Sequence, residues 1–282
     1  MSPAWRPLRG IEQSRLRAAR LEAHNAGQWL ARAARAFVAP QPDDSHTNLG
    51  WDDGLDGFLT HPLTGELRLG LNLAGLTLEL YDRQSGTESY SLAGRTDGQA
   101  RRWLGDQLDA RGLDAKKLDA PAPYAMPEHA AAGGGTYGAG DWADARAELA
   151  AWFANVHRSL GGVRAQMIER GRVAAPVRCW PHHFDIATLT PLERGDTEHA
   201  RSVNAGLSPG DEHYEEPYFY VSPYPYPDPA KLPRLPALGH WHVRGFTAAI
   251  APASRILQTK DRQAAAEAFL DAAVAAAVDA LR

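Results

Sequence analysis

The sequence has a single cysteine, Cys179, among 282 residues. No disulfide can form within the chain, and a reducing compartment, the cytoplasm, is the expected setting. It lacks any apolar run approaching the roughly 20 residues that a membrane helix needs, and its N-terminus lacks the apolar stretch of a secretory signal. Positive charge is not in surplus either. A formal net charge of -4 gives no basic field to hold nucleic acid or an anionic membrane, so neither is an expected partner. There is no Gly-x-Gly-x-x-Gly after a strand, no phosphate loop, no paired Cys-x-x-Cys and no His-Glu-x-x-His. The Gly133–Gly140 stretch has neither the lysine nor the strand context of a phosphate loop, and nothing supports nucleotide-dependent chemistry. What is present, 44% apolar and 23% charged residues, is the composition of a globular protein long enough to bury a large core.

Periodicity predicts the elements. Leu16, Ala19, Ala23, Ala26, Leu30, Ala33 and Phe37 step by three and four, giving a helix over 11–37 that Pro40 and Pro42 close. The arginines at its start (Arg6, Arg9, Arg15, Arg17, Arg20) could belong to an organelle transit peptide, but the same segment reads as a structural helix. Leu67, Leu69, Leu71 and Leu73, then Leu76, Leu78 and Leu80, alternate around Ala74-Gly75 and predict an antiparallel hairpin, with a third strand over 89–92. A second helix is expected from Thr96 or Asp97 to Gly112, a third from Asp141 to Arg170 and a last from Asp261 to Leu281. Short aromatic and proline-rich strands are expected over 176–256. The fold class expected is α+β, an antiparallel sheet flanked by long helices in one compact domain over 1–282, with a subdomain break or mobile loop near 121–140.

The C-terminal half carries an ordered set of motifs: Pro176-Val177, Phe184-Asp185-Ile186-Ala187, Asn204-Ala205-Gly206-Leu207-Ser208-Pro209-Gly210, Tyr218-Phe219-Tyr220 and Pro223-Tyr224-Pro225. This order resembles a bacterial family of uncharacterised proteins (a domain of unknown function) with Pro-Val…Phe-Asp-Leu-Ala, Ala-Gly-Phe-x-Pro-Gly and Phe-Tyr-x-Tyr-x-Tyr-Pro motifs. The resemblance implies a shared fold and no particular activity. The family pattern has small residues ahead of Phe-Asp, where this chain has His182-His183, so a histidine site would belong to a subgroup.

Histidines and acids gather in three clusters: Trp180 to Asp185, Asp211 to Glu216, and His240-Trp241-His242. If the first cluster is a strand, Cys179, His183 and Asp185 share one face, and Trp180 and His182 the other. His183 and Asp185 are the first-choice catalytic pair. His240 and His242, at i and i+2 on a strand, are candidate ligands for a divalent metal, with His213 and Glu216 completing the shell. Set beside this is the plainer reading, in which such histidines bond backbone carbonyls in the core. Cys179 as nucleophile, with His183 as base and Asp185 orienting it, is a further option, against which stands the habit of lone cysteines to act as buried small hydrophobes. Tyr218, Tyr220 and Trp180 are candidate ligand-binding residues. The prolines are expected to end any central strand after Ser222. The leading expectation is an enzyme acting on a small molecule through a His/carboxylate cluster, metal-assisted or not. The alternative is a non-catalytic protein that binds a small ligand or partner through its Tyr/Pro-rich segment.

Overall fold

The computed structural model describes residues 4–83, 85–138, 140–193 and 200–282. The chain is α+β and separates into two compact units. The first comprises Met1–Gly10, Ala151–Arg178 and Asp185–Arg282; the second comprises Ile11–Ala150 and Cys179–Phe184. In place of one sheet there are two, both antiparallel.

In the second unit, α1 (Gln13–Phe37) begins where the Glu12 carboxylate accepts the amide protons of Ser14 and Arg15. The expected apolar stripe from Leu16 to Ala33 is buried. So are Arg20, Glu22, His24, Asn25 and Gln28, which periodicity alone assigns no role. Glu22 is matched by Arg146, whose Nη1 donates to its carboxylate at 2.8 Å. The sheet is a meander of β1 (Gly50–Asp52), β2 (Gly57–Leu59), β3 (Arg68–Asn72), β4 (Thr77–Asp82) and β5 (Gly86–Ser91). The leucine hairpin is in register as the alternation requires, Leu69 opposite Leu80 and Leu71 opposite Leu78, all four buried. Helix α2 (Asp97–Asp109) starts at a reciprocal capping box between Thr96 and Gln99. The 121–140 stretch lies in this unit, where buried Tyr137 donates to Asp97 at 2.5 Å.

The remaining elements are α3 (Ala143–Glu169), β6 (Arg178–Trp180), β7 (Asp185–Pro191), β8 (Ser202–Ser208), β9 (Tyr218–Tyr224), β10 (His240–His242), β11 (Ala248–Pro252), α4 (Ala253–Leu257) and α5 (Arg262–Ala280). Residues 194–199, within the region of expected strands, lie outside the described residues. In the first unit the strands are bonded in the order β10-β11-β9-β8-β7, each pair antiparallel. One face of β9 packs on helices: Phe219 is fully buried, meets Trp152 edge-on and lies parallel to Trp5, both at 6.2 Å. Alternation turns Tyr218 and Tyr220 to the opposite face.

One expectation needs correction. Residues 181–184 do not continue a strand. They form a turn in which the amides of His183 and Phe184 both donate to the Trp180 carbonyl, and Phe184 takes a left-handed φ of +59°. β9 runs on to Tyr224 with Pro223 opposite Val203 of β8, but past Ser222 it has a strand on one side only and is no longer central, as its prolines require. The reason is the neighbour on the other side. β11 starts at Ala248, and its pairing with β9 is spent by Val221, so no ladder donor is asked of Pro223 there.

Candidate functional site

The polar face of β9, β10 and β11 is built by register. His240 lies opposite Ile250, which lies opposite Tyr220; His242 lies opposite Ala248. Ala248 and Ile250 are fully buried and form a small apolar floor with Tyr218, against which Tyr214, Tyr220 and Phe246 pack. The loop after β8 places Tyr214 over this floor. The Asp211 carboxylate accepts the amides of His213 (2.8 Å) and Tyr214 (2.9 Å), an Asx turn that fixes the approach of the tyrosine.

The Tyr214 hydroxyl lies 2.9 Å from His240 Nε2 and 3.0 Å from His242 Nδ1. The direction of each bond follows from what can donate. His242 Nε2 is 2.7 Å from the Arg244 carbonyl, which only accepts, so that nitrogen carries the proton. In neutral His242 the Nδ1 atom is then bare and accepts the Tyr214 proton. The phenol has no second proton to give, so its oxygen accepts from His240 Nε2–H. This leaves His240 Nδ1 as a bare nitrogen, buried and without a hydrogen-bond partner. The three groups form one oriented chain of protons: His240 to Tyr214 to His242 to the Arg244 carbonyl. His242 also stacks on Phe246, with centroids 4.3 Å apart.

Two carboxylates buttress the same face. Tyr218 donates to Asp211 and Tyr220 donates to Asp185. Gly206 sits beneath the Tyr220 ring, where a Cβ would come within 2.5 Å of its Cζ. Burial, reinforced by Asp211, raises the pKa of Tyr218 above the usual phenol range, and burial with Asp185 does the same for Tyr220. Tyr214 is raised by burial and by the charge of Asp211. His240 is lowered, by burial first and then by Arg255 and His242, which keeps it neutral.

The expected site residues are thus partly brought together and partly separated. His240, His242, Tyr218, Tyr220 and Asp185 belong to the first unit and, with Tyr214, make up this face. His213 stands beside it, its ring 5.4 Å from that of His242. Glu216 is committed elsewhere, holding the amide and hydroxyl of Ser254 at the start of α4. Among the described residues no three His, Cys, Asp or Glu side chains gather as a metal site. The four-residue ligand set expected from sequence is therefore not assembled.

His183 and Trp180 belong to the second unit. There the Pro181 carbonyl receives His24 Nε2 at 2.8 Å and Gln28 Nε2 at 2.9 Å, and the Phe184 ring stacks on His24 at 5.1 Å. These contacts from α1 hold the turn and set the His182 and His183 rings side by side, 4.3 Å apart. Trp180 meets His182 edge-on. Burial, then the neighbouring His183, lowers the pKa of His182. The turn at 181–184 breaks the continuous strand on which Cys179, His183 and Asp185 were expected to share a face. Cys179 is fully buried, its backbone paired with Leu49, as a small hydrophobe.

Sequence reasoning missed Tyr214 and Asp211 as site residues. The legible signal was the Ser-Pro-Gly-Asp run, which announces a turn but not which of the following side chains it aims inward. Comparison with known protein families, curated proteins and solved structures gives no match.

Proposed function

We propose that the face formed by Tyr214, His240, His242 and Phe246 binds a small polar molecule and exchanges a proton with it, as the acid–base centre of an enzyme. The observation that carries this reading is the Tyr214 hydroxyl held between two imidazole nitrogens. Its raised pKa keeps the Tyr214 proton in place at rest; a phenolate formed transiently by transfer to His242 Nδ1 accepts N–H bonds from both rings, so the charge that develops on the oxygen is met by donors already in place. His240, kept neutral, supplies one of those donors. Tyr218–Asp211 and Tyr220–Asp185 hold the floor and the loop so that Tyr214 keeps its aim, and the half-buried rings of Tyr214, His242 and Phe246 offer an apolar contact surface.

A divalent metal is the second reading, favoured by the same convergence. His240 Nε2, His242 Nδ1 and the Tyr214 oxygen meet at one place, and the other nitrogen of His242 is anchored on a backbone carbonyl, as in many metal-ligating histidines. In that case the phenol would be deprotonated and the His240 proton would sit on Nδ1, freeing Nε2 to serve as a ligand.

The test is a thermal-shift screen of small carboxylic acids, amides, esters, phosphoesters and sugars, with and without zinc or manganese, on the parent chain, Tyr214→Phe and His240→Asn. The expected result is a compound class that stabilises the parent and is turned over by it, with turnover reduced at least 100-fold in both folded variants. A stabilising effect that depends on metal in the parent alone favours the second reading. Compounds that bind and react equally well with all three proteins would remove both.

A further inference from the structure

In the first unit, residues 4–10 form neither helix nor strand, yet the backbone of Ala4, Trp5, Arg6 and Leu8 is held by side chains of α3 and α5. Arg158 Nη1 donates to the Ala4 carbonyl at 3.0 Å, and the Trp5 amide donates to Gln263 Oε1 at 3.1 Å. Asn155 grips Arg6 on both sides: its Oδ1 accepts the Arg6 amide at 2.7 Å and its Nδ2 donates to the Arg6 carbonyl at 3.0 Å. Arg262 donates to the Leu8 carbonyl. Two side chains seat the segment. The Trp5 indole donates to Ser159 Oγ at 3.2 Å and lies parallel to Phe219, and Leu8 is buried. Asn155 is itself completely buried. Beside this track an open groove of about 480 Å³ runs on between α3 and α5, sharing Arg158, Ser159 and Gln263 with it.

We propose that the α3–α5 track is a peptide-binding groove, now filled by the chain's own residues 4–8, and that it takes the same segment from a second copy of this chain. A bidentate asparagine to the backbone of one residue, flanked by a glutamine and two arginines on neighbouring backbone atoms, recognises an extended polypeptide irrespective of most side chains. Selectivity comes from the two seats three residues apart, one for an aromatic ring and one for leucine. No strand pairing fixes the segment. It ends at Gly10, whose φ of +71° permits a sharp change of direction before α1. A segment held this way can leave its own groove and enter an identical one, the exchange that produces swapped dimers. The second copy is the occupant that satisfies both seats without further assumption, because its Trp5 and Leu8 are the residues that already fit. This inference is independent of the Tyr214 site.

Complementary full-length variants test it. Trp5→Ala/Leu8→Ala has an intact groove and a defective segment; Asn155→Ala/Gln263→Ala has an intact segment and a defective groove. Mixed at high concentration, they should give a one-to-one heterodimer by light scattering that neither forms alone. A labelled peptide of residues 4–12 should bind the first variant at least tenfold more tightly than it binds the parent, whose own segment competes. Should Asn155→Ala/Gln263→Ala fail to fold by circular dichroism, Gln263→Ala alone replaces it as donor. Absence of peptide binding to the first variant overturns the groove. Peptide binding without heterodimer formation overturns the assignment of a second copy as occupant.

Discussion

His24 shows how far a single side chain can be governed by its surroundings. Burial lowers its pKa to about 4, against the effect of its bond to the Pro181 carbonyl. In the unfolded chain the same imidazole titrates near 6.5, so between these values the unfolded state binds more protons. Its contribution to stability is therefore complete above about pH 6.5 and declines as the pH falls towards 4, by roughly 3 kcal/mol in all. His24→Gln keeps a donor for Pro181 and has no proton to gain. We expect its urea midpoint to be flatter than the parent's across this window; an unchanged slope would assign the dependence to other groups. Gly206 is governed in the opposite sense, by space. A methyl there meets Tyr220 Cζ at 2.5 Å and the Ile186 carbonyl oxygen at 2.7 Å, and the carbonyl, being backbone, cannot swing aside. Gly206→Ala is expected to cost about 1–3 kcal/mol by overpacking and to weaken the Tyr220–Asp185 bond. Equal stability in urea titration would show that the ring is less closely seated than described.

At the scale of elements, caps and alternation carry the most information. Thr96, one of the two caps read from the sequence, starts α2, and the structure adds the reciprocal bond from Gln99 that completes a capping box. Thr96→Ala should lower stability by about 1 kcal/mol, read from thermal or urea unfolding, and a neutral effect would mean that solvent replaces the cap. The leucine hairpin was legible because one buried face imposes a period of two, and α3 because Leu149, Phe153, Val156, Leu160, Val163 and Met167 recur at four and three. The α1 stripe was legible too, but not the buried Glu22, His24 and Gln28 on the same helix. Their partners, Arg146, Gly138 and the Pro181 carbonyl, lie more than a hundred residues away, and local spacing has no access to such pairs. The turn at 181–184 was missed for the same reason. A bulky residue at positive φ is disfavoured locally, and Phe184 is held there by stacking on His24 and edge contact with Phe58. In the site, the His-x-His pair on β10 was readable from its period. The tyrosine that joins the two rings comes from a loop twenty-six residues earlier, and only the fold brings it there.

At the scale of the molecule, no helix among the described residues is long and apolar enough to cross a membrane, and the acid–base centre proposed here lies within the first unit alone. Its defining feature is the direction of three hydrogen bonds, and nitrogen-15 NMR of the imidazoles at pH 7.5 reads that direction without knowledge of a substrate. We expect the proton on Nε2 in both His240 and His242, with His242 Nδ1 showing the shift of a hydrogen-bonded acceptor that is lost in Tyr214→Phe. Observation of His242 protonated at Nδ1, or of a spectrum indifferent to Tyr214→Phe, would contradict the oriented chain and the proton transfer built upon it.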